Sequence, residues 1–443
     1  MKENPLRRRV LAGLAATAAA LGLARPALSA DARGALRIDA ARLQKRLEDL
    51  SVFGRKPGGS FADGVSRYAY SDADIAGRAF VMDMIRKAGA EPRIDAAGNI
   101  LALRPGTKAG LKPILIGSHI DSVPGGGNFD GQVGSMAAIE VLQTLNERKV
   151  ALRHPLEVVI WSNEEGGTIG SGIAAGVVSA AALQVTLNGI SRVDGIRRVG
   201  GDPDHLDQAR MAPGSRHAYV ELHIEQSGQL EKAGIPIGVV DGIVCIDEYE
   251  VEIRGTPNHA GTTPMAERHN ALLAAAKLVQ AVQEEVVREP GRQVGNVGHM
   301  EVFPNARNVV PGLVRHSIEI RDLDAAKVRA IGDRVLARAQ AIAAETGTVI
   351  DIRQEEHDAP AIATPQIQKT IEAASAALGL ATMHLPSGAG HDAQNMTAIC
   401  PIGMIFVPSL KGISHSPKEL TPWADCANGA NVLLQTVLRI DQG

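Results

Sequence analysis

Short apolar runs alternate with amphipathic helical stretches through the first half of this chain, and that alternation limits the folds open to it. "NILALRPG" and "KPILIGSH" have the length and apolar content of strands. "GQVGSMAAIEVLQTLNERK" sets Val133, Met136, Ala137, Val141 and Leu145 on one face at helical spacing. "LEVVIWS" is the next strand. Strands joined through helices pair in parallel, because only a crossover long enough to hold a helix brings the chain back in the same direction. The expectation is an α/β domain with a mostly parallel central sheet, in which ligands collect at the carboxyl ends of the strands.

Between about residues 244 and 354 the order changes. "DEYEVEIRG" reads as a strand, Ala266 to Arg288 as a helix, "QVGNVGHMEVFP" and "LVRHSIEIRD" as two strands, Asp324 to Ala344 as a helix and "GTVIDIRQ" as a strand. The series β-α-β-β-α-β is that of a ferredoxin-like α+β unit. It is expected as an insertion, 244–354, dividing a catalytic domain into 34–243 and 355–443, where the helix "TPQIQKTIEAASAALG" and the strand "CPIGMIFVP" resume the α/β pattern.

Residues 1–30 have a basic head, an apolar run from Val10 to Leu23 and small residues up to Ala30. That is the pattern of a cleaved export signal, and the run is too short to span a membrane. Arg7-Arg8-Arg9-Val10-Leu11 resembles a twin-arginine signal, which predicts a periplasmic protein with no membrane anchor after cleavage. The formal net charge of the whole chain is −3, and losing the five basic and one acidic residue of the leader leaves −7. With no dominant basic patch, nucleic acid is not an expected partner. Three widely spaced cysteines, Cys245, Cys400 and Cys426, give neither a disulfide framework nor a thiolate metal motif.

The strand "LEVVIWS" leads within two residues into Glu164 and Glu165. Two adjacent carboxylates at the end of a core strand raise each other's proton affinity unless a cation lies between them. His119 ends "ILIGSH", Asp130 stands in the glycine-rich turn "GGGNFDG", His223 ends "AYVELHIEQ", and His415 follows the last strand in "KGISHSP". Each of these, with Glu165, falls at a strand end or just past it, so all five can meet in one crevice. A histidine alone is more often a hydrogen-bonded core or surface group, and the other histidines outside motifs are read that way. It is the combination of imidazoles with carboxylates that suits zinc, manganese or a similar ion. A carboxylate shared by two ions would make a two-metal site.

The motifs "GSHIDSVPGGGNFDG", "NEEGG", "ELHIEQ", "HAGTTPM", "NARNVVPG", "SGAGHDA" and "GISHSPKE" resemble, in that order, those of the hydantoinase/carbamoylase amidases within the M20 metallopeptidase-like group. The resemblance runs from about residue 36 to the end of the chain. It implies a zinc-peptidase-like catalytic domain, an inserted lid that serves in dimerisation, and hydrolysis of an N-carbamoyl or ureido acid. It further implies two divalent ions (zinc or manganese, with cobalt or nickel as other options) held by His119, Asp130, Glu165, His223 and His415, with Asp130 bridging. Glu164 would be the general base, and Asp121 would orient His119. His259 would stabilise the oxyanion, often in the site of a partner subunit, while Gln226, Asn308 and Arg321 would bind substrate and His391 would support the site. Thr168-Ile169 stand where the family carries Arg-Phe, Ser227 is an extra residue after "HIEQ", and "ERHNA" replaces Arg-x-Asp-Ala; these departures bear on substrate identity. Two other functions fit part of the pattern: an aminoacylase or dipeptidase of the same group, and a periplasmic binding protein without turnover.

Overall fold

The computed structural model describes residues 36–442, so the expected leader lies outside the described residues. Among those residues no helix is long and apolar enough to cross a membrane.

A nine-stranded sheet forms the larger part of the molecule. Its centre is four mutually parallel strands in the order Leu156–Trp161, Ile114–His119, Ala218–Ile224, Ile402–Val407. Every residue in these four is buried. Burial on both faces explains why they read as unbroken apolar runs rather than as alternating ones. Antiparallel strands close the flanks: Ile100–Arg104 and Pro92–Ile94 on one side, Ile237–Ile243 on the other.

Helices cover one face. Gln132–Glu147 and Trp423–Ile440 bring Val133, Met136, Leu433 and Val437 against Ile116, Val158 and Ile405. Odd-numbered neighbours on the same strands, Leu115, Val159 and Tyr219, join Trp161 and Phe406 in a second core on the opposite face. Helix Gln132–Glu147 continues past its C-cap through Lys149 at φ 53, a left-handed stop made without glycine.

Strand Cys245–Arg254 begins two residues after Ile243 and belongs to a separate, wholly antiparallel five-stranded sheet. Its partners are Leu313–Asp322 and Val349–Asp358, with Val294–Asn296 and Met300–Phe303 on the outer side of Leu313–Asp322. Helices Ala271–Val287 and Ala325–Thr346 pack Ala274, Leu278, Val328 and Ile331 onto Val251, Ile253, Val314 and Ile318. The other face carries Glu252, Arg254, Arg315 and Asp351 in surface ion pairs.

Two differences from the sequence reading have physical causes. "QVGNVGHMEVFP" is two strands, because Val297, Gly298 and His299 stand opposite only Ser317 and Ile318, a bulge that shifts the register by one residue. Strands Ile237–Ile243 and Thr382–Ser387, which pair in parallel with each other, escaped the reading. The first holds Gly238, Asp241 and Gly242 and the second holds Pro386, residues that weaken a strand signal; pairing within the sheet places them there.

Candidate metal centre

The carboxyl ends of the four parallel strands deliver the polar groups. His119 is the last residue of its strand, His223 the last but one of its strand, and Glu164 and Glu165 follow Trp161 after Ser162 and Asn163. Asp130 comes from the turn that leads into helix Gln132–Glu147, and His415 from the loop after Ile402–Val407. Donor atoms of His119, Asp130 and His223 lie within 4.8 Å of one another, and so do those of Asp130, Glu165 and His415. Asp130 belongs to both sets. Its Oδ1 is 3.1 Å from His223 Nε2, and its Oδ2 is 3.3 Å from His415 Nε2, which is also 3.3 Å from Glu165 Oε2.

The ring nitrogens define what the centre lacks. His119 Nδ1 bonds the main-chain carbonyl of Asp121 at 3.0 Å, and His223 Nδ1 bonds that of Ile224 at 3.0 Å. A carbonyl only accepts, so both Nδ1 atoms carry a proton, and Nε2 is the atom each ring turns toward the carboxylates, open to a proton or a cation. His119 Nε2 is buried without a hydrogen-bond partner, 3.6 Å from Glu164 Oε2 and 3.8 Å from Asp130 Oδ1. Lone pairs facing carboxylates require a positive species between them. Among the described residues no lysine or arginine side chain pairs with Asp130, Glu164 or Glu165. The donor set of imidazole nitrogens and carboxylate oxygens therefore fits a divalent cation.

Electrostatics agree. Burial works against a charge on His223, yet the hydrogen bond and charge of Asp130 raise it to about 9. Hydrogen bonds to Asp130 and Glu165 raise His415 to about 10. Burial also opposes ionisation of Asp130, but His223 and His415 hold it well below the carboxylate range. The same carboxylates that favour a proton on these imidazoles favour a cation in its place. Glu164 is buried and makes no bond to His415; burial, then the charges of Asp392, Glu165, Asp130 and Asp121, push its carboxyl well above the usual range. Asp121 is raised to about 8, chiefly by burial. Its carboxylate accepts the main-chain N–H groups of Glu164 (3.3 Å) and Glu165 (3.1 Å), so it fixes the glutamate pair, and its carbonyl, rather than its carboxylate, orients His119.

Backbone strain collects here. Asn163, Thr168, Gln226 and His415 all have φ between 49 and 57, the left-handed region that costs a non-glycine residue about 1–2 kcal/mol. Gly131, at φ 67, is required twice over: a Cβ there would lie 2.1 Å from His119 Nε2.

The remaining residues singled out in the sequence divide. Gln226 joins the centre, but its amide is spent on Asp130 Oδ2 at 2.8 Å. His391 stacks edge-on against His223 at 4.3 Å, and its Nε2 bonds Ser387 Oγ at 2.8 Å. Arg321, on the second sheet, reaches the main chain beside His391 through Gly388 O at 2.7 Å; its other edge is paired with Glu319 at 2.7 and 2.9 Å, so the fork is not free. His259 and Asn308 are exposed, adjoining a two-residue strand pair in which Asn258–His259 faces Val309–Val310. The contacts of His259 are to its own loop, with Gly261 N at 3.1 Å from Nδ1, and none reaches the metal cluster.

Three buried acids of the site were not anticipated. Glu221 shares a strand face with His223 and accepts from Ser118 Oγ (2.6 Å), Tyr219 OH (3.0 Å) and Ala393 N (3.2 Å). Asp392 accepts from Ser171 Oγ at 2.5 Å. Glu419 accepts from Phe129 N (2.9 Å) and Asp130 N (3.1 Å). Each lies one to four residues from a residue already singled out, and the spacing of two between Glu221 and His223 was a readable signal of a common face.

Comparison with known proteins follows this geometry. The profile of peptidase family M20/M25/M40 matches residues 115–439. An N-carbamoyl-L-amino acid amidohydrolase of Geobacillus stearothermophilus is 40% identical over 92% of this chain and 100% of its own length. The allantoate amidohydrolase of Escherichia coli is 34% identical over 88% of this chain and 95% of its own. The crystal structure of a hydantoinase/carbamoylase family amidase from Burkholderia multivorans superposes with a TM-score of 0.84 at 33% identity, covering 92% of this chain and 99% of that one. The chain belongs to peptidase family M20/M25/M40, within its hydantoinase/carbamoylase amidases, and is a hydrolase of non-peptide carbon–nitrogen bonds with a divalent-metal site.

Proposed function

We propose that this protein hydrolyses the linear carbon–nitrogen bond of a small N-carbamoyl or ureido acid, with N-carbamoyl-L-amino acids first among the candidates and allantoate and β-ureidopropionate next. The observation that carries the reading is the pair of ligand sets sharing Asp130, with the unligated carboxyl of Glu164 buried beside them. His119, Asp130 and His223 would hold one divalent ion, and Asp130, Glu165 and His415 a second; zinc and manganese suit these donors best. Such ions, when bound, polarise a carbonyl and acidify water.

The chain's own groups supply the rest. Glu164 takes a proton from the attacking water and passes it to the departing nitrogen. Its burial and its distance of 3.6 Å from His119 Nε2 keep it at the reacting centre without making it a ligand of the His415 set. Asp121 holds the glutamate turn from below through two N–H groups. One water and one N-carbamoyl amino acid give the amino acid, ammonia and carbon dioxide.

The second sheet with its helices is proposed as a lid that also pairs two copies, so that His259 of one copy stabilises the oxyanion in the other. Two observations support this. His259 and Asn308 are exposed and unattached to the cluster of their own chain. The same unit exposes Met265 (77%), Leu273 (50%) and Phe303 (42%). Arg321 would meet the substrate carboxylate by exchanging Glu319 for it. Export in folded form through the twin-arginine route is proposed from the leader, and cell fractionation tests it.

The deciding experiment measures ammonia release by the metal-loaded protein from N-carbamoyl amino acids, allantoate and β-ureidopropionate, and release of free amino acid from N-acyl amino acids and dipeptides. Turnover of ureido acids is expected. Hydrolysis of only the N-acyl or dipeptide compounds makes it an aminoacylase or peptidase, and binding without ammonia makes it a binding protein.

A further inference from the structure

Asp130 has a demanding geometry. One oxygen faces His223 and the other faces His415, so a rotation about its side chain removes it from both ligand sets at once. It also stands in a turn, not in a strand, and the glycines Gly125 (φ 66) and Gly131 (φ 67) on either side give that turn little rigidity of its own. His119 and His223, in contrast, are fixed by the sheet.

The Gln226 amide holds Asp130 Oδ2 at 2.8 Å, and Glu419, 289 residues away, supplies the constraint on the main chain of the turn. Its side chain is buried at 5% exposure. Oε1 accepts both Phe129 N and Asp130 N, at 2.9 and 3.1 Å. It lies flush against the turn, since a Cβ on Gly127 would come within 2.1 Å of Oε1. Oε2 is 3.0 Å from Ser414 Oγ, which is itself 2.8 Å from Asp130 Oδ2. Ser414 is the neighbour of His415, and Glu419 closes their loop through its own N–H to Ser416 O at 3.0 Å. One carboxyl group thus grips the main chain under Asp130 and, through Ser414, steadies both the Asp130 carboxylate and the loop that carries His415. It touches no position where a substrate would react.

We infer that Glu419 is a positioning residue that fixes Asp130 between the two ligand sets and couples it to the His415 loop, so that affinity for the cation on the Asp130–Glu165–His415 side depends on it. The inference rests on the two-cation reading proposed above. Loss of a group that orients metal ligands weakens metal affinity by about 10–100-fold. The loss should be larger on the His415 side, because there Glu419 steadies both Asp130 and the loop of His415, whereas on the other side the sheet holds His119 and His223 independently of it.

The test is calorimetric titration of metal-free full-length protein with Mn²⁺, beside thermal unfolding with and without the ion. Wild type should take two equivalents. Glu419→Ala should still fold without metal, with a lowered unfolding temperature because two buried N–H groups lose their acceptor, and should lose about 10–100-fold in one equivalent and distinctly less in the other. Its cation-induced rise in unfolding temperature should shrink accordingly. Glu419→Gln keeps an acceptor for the two N–H groups and should restore most of the lost affinity. Ser414→Ala, which leaves the main-chain grip intact, should lose less on the same side. A folded Glu419→Ala that binds both equivalents like wild type overturns the inference, as does an equal loss of both. Should Glu419→Ala fail to fold, the Ser414→Ala titration decides, and wild-type binding by that variant overturns the coupling. A wild type that takes fewer than two equivalents overturns the two-cation reading, and the inference with it.

Discussion

At the scale of single residues, the centre works by dividing roles between neighbours. Glu164 and Glu165 are adjacent in the chain, yet Glu165 lies 3.3 Å from His415 Nε2 while Glu164 turns toward His119 Nε2 at 3.6 Å. Asn163 at φ 55 begins the turn that separates them, and the Asp121 carboxylate holds it. Glu164→Gln should therefore lower kcat by about 100- to 10,000-fold, the range of a lost proton-transfer group, with metal content by mass spectrometry unchanged. Metal loss in that variant would show Glu164 to be a ligand. Gly131→Ala forces a methyl to within 2.1 Å of His119 Nε2 in a left-handed position. It should depress metal content sharply at a fixed low metal concentration, and full occupancy would mean that His119 is not a ligand. That His119, Asp130, Glu165, His223 and His415 meet was legible because each stands at the end of a parallel strand or in the segment that follows one. Asp392 and Glu419 were not, because a buried acid is recognisable only by the N–H and O–H groups that tertiary packing aims at it, whereas Glu221 carried the signal of its spacing from His223.

At the scale of elements, strand ends and the helices behind them must keep their spacing. His384 on strand Thr382–Ser387 is one such tie: Nδ1 is 2.7 Å from Asp241 on strand Ile237–Ile243, and Nε2 is 2.8 Å from Glu372 on helix Pro365–Ala377. The guanidinium of Arg292 meets its main-chain carbonyl at 3.5 Å. The hydrogen bonds to Glu372 and Asp241 raise the pKa of His384 above 6.5. A folded-state pKa above the unfolded value gives stability that is full below about 6.5 and fades as pH rises through the raised value. The difference in unfolding temperature between wild type and His384→Gln should therefore be largest near pH 6 and shrink toward pH 9. A difference that grows with pH would refute the charged tie. Being part-exposed, the contact is screened and the effect small. The long helices and the buried parallel strands were readable from periodicity. The strands Ile237–Ile243 and Thr382–Ser387 were not, since Gly238, Gly242 and Pro386 give no strand signal and only their sheet partners select the extended form.

At the scale of the whole molecule, the site of one chain is separated from its own His259, which sits exposed on the second sheet's side of the fold. If two copies exchange this residue, a mixture of Glu164→Gln and His259→Ala proteins will contain mixed dimers with one intact site. Activity should return to about a quarter of wild type after subunit exchange, half the dimers carrying half the sites. Continued inactivity of a mixture shown to exchange would remove His259 from the partner's chemistry. The sequence by itself determined the α/β class, the long helices and buried strands, and which imidazoles and carboxylates stand at or beyond the ends of the parallel strands, because hydrophobic period and strand-end position are local properties of a chain. Only the tertiary structure decided which oxygen of Asp130 faces which imidazole, that Gln226 and Glu419 serve Asp130, and that Arg321 is held by Glu319. Those facts depend on side chains brought together from residues far apart, and the direction in which a carboxylate points is set by whatever packs around it.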